Sequence, residues 1–322
     1  MGRDKKQHYS GIGGQAVLEG VMMRNKNMYA VAVRKPNQEI EVEIDEFHGV
    51  LEDSLLRRLP LVRGIFVFID SMLLGFRALN YSASFYEDEN EEPTKADRFL
   101  NKVTGGNGEK VLMGITTAVS FALAIAIFIL LPYFIADLLN VYIRSESLMA
   151  VIEGLVRIAI FMIYIVAITA MKDISRLYQY HGAEHKCINC IEHGLPLTVE
   201  NAKKSSRLHK RCGSSFILFV LFVSVILFFF IRVESPALRV VIRIALIPVI
   251  AGISYELIRM AGSCDNLFVR IVSAPGLWLQ RLTTKEPDER MLEVAIASVE
   301  PIFDWRAYLE KEFGSKDGAA EL

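Results

Sequence analysis

Four long apolar runs constrain this chain more than any other feature: Val111–Ala136, Leu148–Met171, Gly213–Arg232 and Leu238–Ala261. As helix, at 1.5 Å per residue, each is long enough to cross roughly 30 Å of hydrocarbon. Hydrophobic residues make up 52% of the 322, yet charged residues still reach 23%, so charge and apolarity are segregated along the chain. That pattern points to an integral membrane protein with sizeable soluble parts. It excludes a disordered or collagen-like chain. Four cysteines in so long a chain exclude a small disulfide scaffold, and a net charge of -1 gives no reason to expect nucleic acid as partner.

The expected fold is mainly α: a polytopic helical membrane protein with four transmembrane helices in two hairpins, plus a small cytoplasmic β-hairpin region at the N-terminus. Met28–Val33 and the alternating Glu39–Ile44 are strand-like, with Lys35-Pro-Asn-Gln38 as the turn. Leu61–Leu79 is apolar but carries Arg63, Asp70 and Arg77 in one stripe, and is expected along the interface or against the bundle. The organisation is then a cytoplasmic N-terminal region (1–60), an interfacial helix and linker (61–110), a first hairpin (111–171), a cytoplasmic motif segment (172–212), a second hairpin (213–261) and a cytoplasmic helical tail (262–322). In that tail, Trp278 is an interfacial anchor and Glu289–Val299 an amphipathic helix.

Orientation follows from Lys and Arg. Residues 1–110 carry 15, the connection 137–147 one, the segment 172–212 eight and the tail 262–322 seven. Both termini and the motif segment are therefore expected in the cytoplasm. No cleavable signal peptide is visible, because the first apolar run comes too late. Cysteines in that compartment stay reduced, which favours metal or plain thiol roles.

The motif segment carries the chemistry. Lys172–His193 has no proline, so the second span is expected to continue as helix to Gly194-Leu-Pro196. His181 and His185, four apart, then share one face and can present both imidazoles to one metal ion, with Glu184 between them. His181-Gly-Ala-Glu-His185 matches H-x-x-E-H, the inverzincin pattern of two ligands and a general base. The alternative is a pair of histidines hydrogen-bonded in a packed helix interface. Cys187-Ile-Asn-Cys190 and His209-Lys-Arg-Cys212 give C-x2-C…H-x2-C, close to structural zinc spacing, but Cys187 and Cys190 point away from the histidine face and read equally as small buried hydrophobes. Glu256, near the inner end of the last span, needs a partner, either Arg259 or a metal. Arg207, Lys210 and Arg211, just before the third span, suit an anion or anionic lipid headgroup, or serve only as positive-inside charge.

Gly13-Gly-Gln-Ala-Val-Leu-Glu-Gly-Val-Met-Met-Arg24, Tyr180-His-Gly-Ala-Glu-His-Lys186, Arg211-Cys-Gly213, Ser254-Tyr-Glu256 and Thr283-Thr-Lys-Glu-Pro287 together resemble the YqhQ-like family (domain of unknown function 1385) over nearly the whole chain. The resemblance implies a multi-pass protein of the bacterial plasma membrane, in a family regarded as metal-dependent enzymes. Joined to the motif reading, it gives the expectation of a hydrolase with a divalent metal such as zinc. His181 and His185 would be ligands, Glu256, His209 or Cys212 would complete the shell, and Glu184 would be catalytic. The rival expectation is a membrane assembly, regulatory or transport factor with a structural metal or none. Membrane lipid is the one partner expected in either case.

Overall fold

A computed structural model describes residues 8–86, 108–139, 142–143, 145–231, 233, 235–263 and 267–314. The chain divides into two compact units, one made of residues 1–86, 165–220 and 248–322, the other of 87–164 and 221–247.

The first unit is organised by a four-stranded antiparallel sheet in the order β1 (Ile12–Val17), β2 (Gly20–Asn25), β3 (Met28–Arg34) and β4 (Ile40–Glu46). The expected hairpin is β3–β4, registered Arg34 opposite Ile40, with Gln38 in the turn at φ 73°. The glycine-rich stretch Gly11–Gly20 and the residues after it form a second hairpin. β1 and β2 turn through Leu18 and Glu19, the latter at φ 49°. Glycine discourages strand, but here close packing requires it. A side chain at Gly14 would meet Met22 O, the Met23 sulfur and the Glu184 side chain.

Both faces of the two central strands are covered, which is why Gly20–Met23 of β2 and Met28–Val33 of β3 are apolar instead of alternating. Met22, Tyr29, Val31 and Val33 face Leu74 and Ala78 of α1 (Val62–Ser84). Val21, Met23, Ala30 and Ala32 face α5 (Lys172–Glu192), α11 (Glu289–Val299) and α12 (Trp305–Phe313). Leu292, Ala295 and Val299 are fully buried, as the amphipathic pattern requires, while Trp278 is half exposed. The charged stripe of α1 is resolved one residue at a time. Arg63 pairs with Glu256, Asp70 with Arg57, and Arg77 with Asp45 at 3.8 Å.

Three helical stretches among the described residues are long and apolar enough to cross a membrane: Val111–Leu138, Leu148–Thr169 and Ala237–Met260. The first joins α2 (Gly108–Ile125), a π-turn at Ala126–Leu130 and α3 (Leu131–Leu138). The second is α4 (Glu146–Thr169), and the third joins α8 (Pro236–Ala245) to α9 (Ile247–Ser263). Of the four expected runs, the third is not among these three. α7 (Gly213–Phe230) has an apolar part of only Ser215–Phe230.

The expected continuous helix from the second run into the motif segment is also corrected. Met171 is extended, and α5 starts afresh at Lys172. Lys285 accounts for the break: its ammonium donates to Thr169 O, a terminal carbonyl of α4, and to Ser175 Oγ in α5. α6 (Val199–Lys204) and α10 (Leu267–Thr283), with Pro275 inside it, complete the helices. The linker acids Glu87–Glu92, the Gly105–Gly108 run apart from its last residue, Cys264 and the tail beyond Gly314 lie outside the described residues.

Candidate metal centre

The site is built on the second half of α5, where every residue from Gly182 to Glu192 is buried. So many polar groups survive burial in one helix because they satisfy the backbone of the segment that follows. His185 Nδ1 donates to Arg207 O at 2.7 Å. Lys186 Nζ donates to Lys203 O and Ser205 O, and pairs with Glu286. Asn189 Nδ2 donates to Ser206 O and Leu208 O. One helix face thus holds five successive loop carbonyls from 203 to 208, sparing only Lys204, and the loop delivers Cys212 at the start of α7.

On the opposite side the chain after α10 closes in. Lys285 O lies so near Gly182 that a Cβ there would overlap it. The same approach gives His181 Nδ1 its partner, Thr283 O at 2.9 Å. A carbonyl only accepts, so both Nδ1 atoms carry the proton. With each ring neutral, both Nε2 atoms are left as lone-pair donors. That is the arrangement in which metal-binding histidines are ordinarily held.

His181 Nε2 stands 3.1 Å from Cys212 Sγ, and the two imidazole centroids are 4.4 Å apart. One ligand atom from each of His181, His185 and Cys212 lies within 4.8 Å of the others. Tetrahedral zinc with ligands at ~2.0–2.3 Å spaces its donors by roughly 3.3–3.7 Å. The cluster fits that spacing with small side-chain rotations, and two imidazoles with a thiolate are a borderline-soft set suited to zinc. Without a metal the charges sort themselves. Burial works to raise the Cys212 thiol, but His181 and His185 outweigh it and hold the thiol well below its usual value. Burial likewise opposes charge on His181, but Cys212 overrides it and lifts the imidazole to about 10.

Glu184 is buried beside this cluster. Burial raises its carboxyl above the usual range against the pull of His185 and His181, and the Gly14 N–H donates to it. His209 is close by, its ring centroid 5.8 Å from that of His185, but its Nε2 faces Glu192 at 3.2 Å. Burial keeps the His209 imidazole below its ordinary value against the pull of Glu192, and Glu192 also pairs with Arg211, at 2.5 Å. Ser10 adds its N–H and hydroxyl. Burial alone would raise the Glu192 carboxyl, but His209 above all, then Arg211 and Ser10, bring it down to about 2.

The family model described as "Protein of unknown function (DUF1385)" matches residues 59–305. The chain belongs to that family. It is also similar to the "Uncharacterized protein YqhQ" of Bacillus subtilis (strain 168), 36% identical over 302 residues, which are 93% of this chain and 94% of that protein. No solved structure matches it.

Of the residues singled out in this DUF1385 chain, His181, His185 and Cys212 come together, with Glu184 alongside. Glu256 is not in the group: its carboxylate accepts from Arg63 Nε at 2.6 Å and lies 4.0 Å from Arg259. Cys187 and Cys190 are fully buried in the apolar cluster under the sheet, Cys190 donating to Pro196 O. Arg207 donates to Thr284 O, and Arg211 stacks on Tyr9 at 3.8 Å while pairing with Glu192. Asn189, Glu192 and Gln280 were not singled out from sequence, and Lys186 and Thr283 entered only as members of the motifs that carry the family resemblance. Gln280 holds the loop from the other side, accepting from His209 N and donating to His209 O. The available signal was the density of polar residues in a segment that must also be helix core.

Proposed function

We propose that this DUF1385 protein is a multi-pass protein of the bacterial plasma membrane, both termini cytoplasmic, with a mononuclear metal centre at His181, His185 and Cys212 facing the cytoplasm near the inner leaflet. We further infer that it works as a metal-dependent hydrolase. The observation that carries the reading is the pair of Nδ1–H bonds to Thr283 O and Arg207 O, which turns both Nε2 lone pairs toward Cys212. Three protein donors leave a coordination position open, the mark of a catalytic rather than a structural site. A divalent ion such as zinc would supply Lewis acidity at that point. His181 and His185 hold their orientation through the two carbonyls, and Cys212 contributes a thiolate. Glu184, the one carboxyl buried against the trio, is placed to take a proton at a carboxylate oxygen and pass it on. The sheet and α11 keep bulk water from that flank.

Metal analysis of the purified full chain tests this directly. Wild type should carry one zinc per chain, His181→Ala, His185→Ala and Cys212→Ser should each lose it, and Glu184→Gln should keep it. An absence of stoichiometric metal in wild type would sink the reading. The rival reading, a structural metal in a regulatory or assembly factor, needs His209 to leave Glu192 and close the shell. X-ray absorption showing three nitrogens and one sulfur, one nitrogen lost in His209→Ala, would establish that instead.

A further inference from the structure

The second compact unit holds an ionic cluster of a different kind. Glu153 and Arg157 lie one turn apart on α4, and Glu153 takes Arg157 on one oxygen and Arg243 of α8 on the other, both at 2.7 Å. Arg157 also donates to Ser224 Oγ of α7 at 3.1 Å. Both guanidinium side chains are almost wholly buried, at 3% and 5% exposure. Both lie over the Phe228 ring, at 4.7 and 5.1 Å, and Arg243 also lies over Tyr133 at 5.0 Å.

The cluster is incomplete in two respects. One carboxylate serves two guanidinium groups, leaving one positive charge in an apolar setting, and a buried charge of that kind requires a counter-charge. Arg157 Nε, Arg243 Nε and Arg243 Nη1 are buried with no hydrogen-bond partner among the described residues. These are half of the six such side-chain atoms found there. The aromatic faces offset part of the charge, but a ring supplies no lone pair to an in-plane N–H. Further out on α8, Arg239 lies over the same Tyr133 at 5.6 Å and Asp137 lies one turn beyond Tyr133 on α3. Counting both residues leaves the excess of one positive charge unchanged.

We propose that Arg157 and Arg243 form a binding site for a single phosphodiester monoanion, a group with one negative charge and enough acceptor oxygens for the three unpartnered N–H groups. The diester is that of a lipid headgroup or of a small free ester. Arg243 is the eighth residue of α8 and Glu153 the eighth of α4, so both lie ~10 Å along their helices from the start, at 1.5 Å per residue. That depth is within reach of headgroups if these helices span a bilayer. The site shares no residue with the metal centre and stands whether or not that centre binds metal.

The test uses the full chain purified in an uncharged detergent, with dimethyl phosphate as the free diester and phosphatidylglycerol as the lipid. Dimethyl phosphate should raise the unfolding midpoint of wild type saturably. Arg243→Gln, which leaves a neutral Glu153–Arg157 pair, should weaken that binding at least tenfold, and Glu153→Gln, which leaves two cations, should tighten it. If the lipid is the source, native mass spectrometry should show phosphatidylglycerol retained by wild type and at least fivefold less by Arg243→Gln. A wild type that responds to neither probe, or an Arg243→Gln variant that responds like wild type, overturns the proposal.

Discussion

Gly182 decides how closely two parts of the site approach. With any side chain there, Lys285 O would have to move, and with it Thr283 O, the acceptor that orients His181. Gly182→Ala should therefore cost roughly 1–3 kcal/mol, the usual range for overpacking. It should also weaken metal binding, although it touches no donor atom. Thermal unfolding and metal titration of that variant check both effects. Glu192 makes a separate prediction. Its folded carboxyl is depressed to about 2, below the ordinary 4.5, so the unfolded chain binds the extra proton. The stability it contributes is complete above pH 4.5 and is lost as the pH falls toward 2. Glu192→Gln should lower stability at neutral pH and flatten the loss between pH 5 and 2, measured by denaturant unfolding across that range.

At the scale of elements, α5 acts as a template for the loop that follows it. Asn189→Ala would strip the side-chain donor from Ser206 O and one of two donors from Leu208 O, and should cost about 1–3 kcal/mol for the polar group left unpaired. Hydrogen exchange should accelerate across residues 203–212 while the β2 and β3 amides stay protected; uniform acceleration would mean that the loop and sheet are one cooperative unit. α11 was legible to the residue from its amphipathic period alone, and the structure adds the cap, Asp288, whose side chain accepts from Met291 N. β1 was not, since Gly14 answers to a helix that arrives some 170 residues later. His181 and His185 were legible because helical spacing alone puts them together. Cys212 was one of several candidate completing ligands, and only the fold of the intervening loop distinguishes it from Glu256, which Arg63 occupies. The end of α4 also escaped notice, because it depends on Lys285, a partner distant in sequence.

At the scale of the whole molecule, the proposed orientation rests on basic residues. Residues 1–110 carry 15 Lys and Arg, against one in 137–147. A single cysteine introduced at Ser145, in a background without native cysteines, should react with an impermeant thiol reagent outside intact cells, and one at Lys204 should react only after lysis. The opposite pattern would turn the metal centre to the outside and replace the cytoplasmic hydrolase with a surface one.

The positions that make up the centre also carry an order in time. A ribosome releases His181 and His185 first and Cys212 about thirty residues later, while Thr283, which fixes the tautomer of His181, emerges only near the end. Until then the first histidine has no acceptor on Nδ1 and either nitrogen is free to carry its proton. The proposed donors are thus present well before they are oriented, and a chain stopped before Thr283 contains all three of them without the device that aims the first.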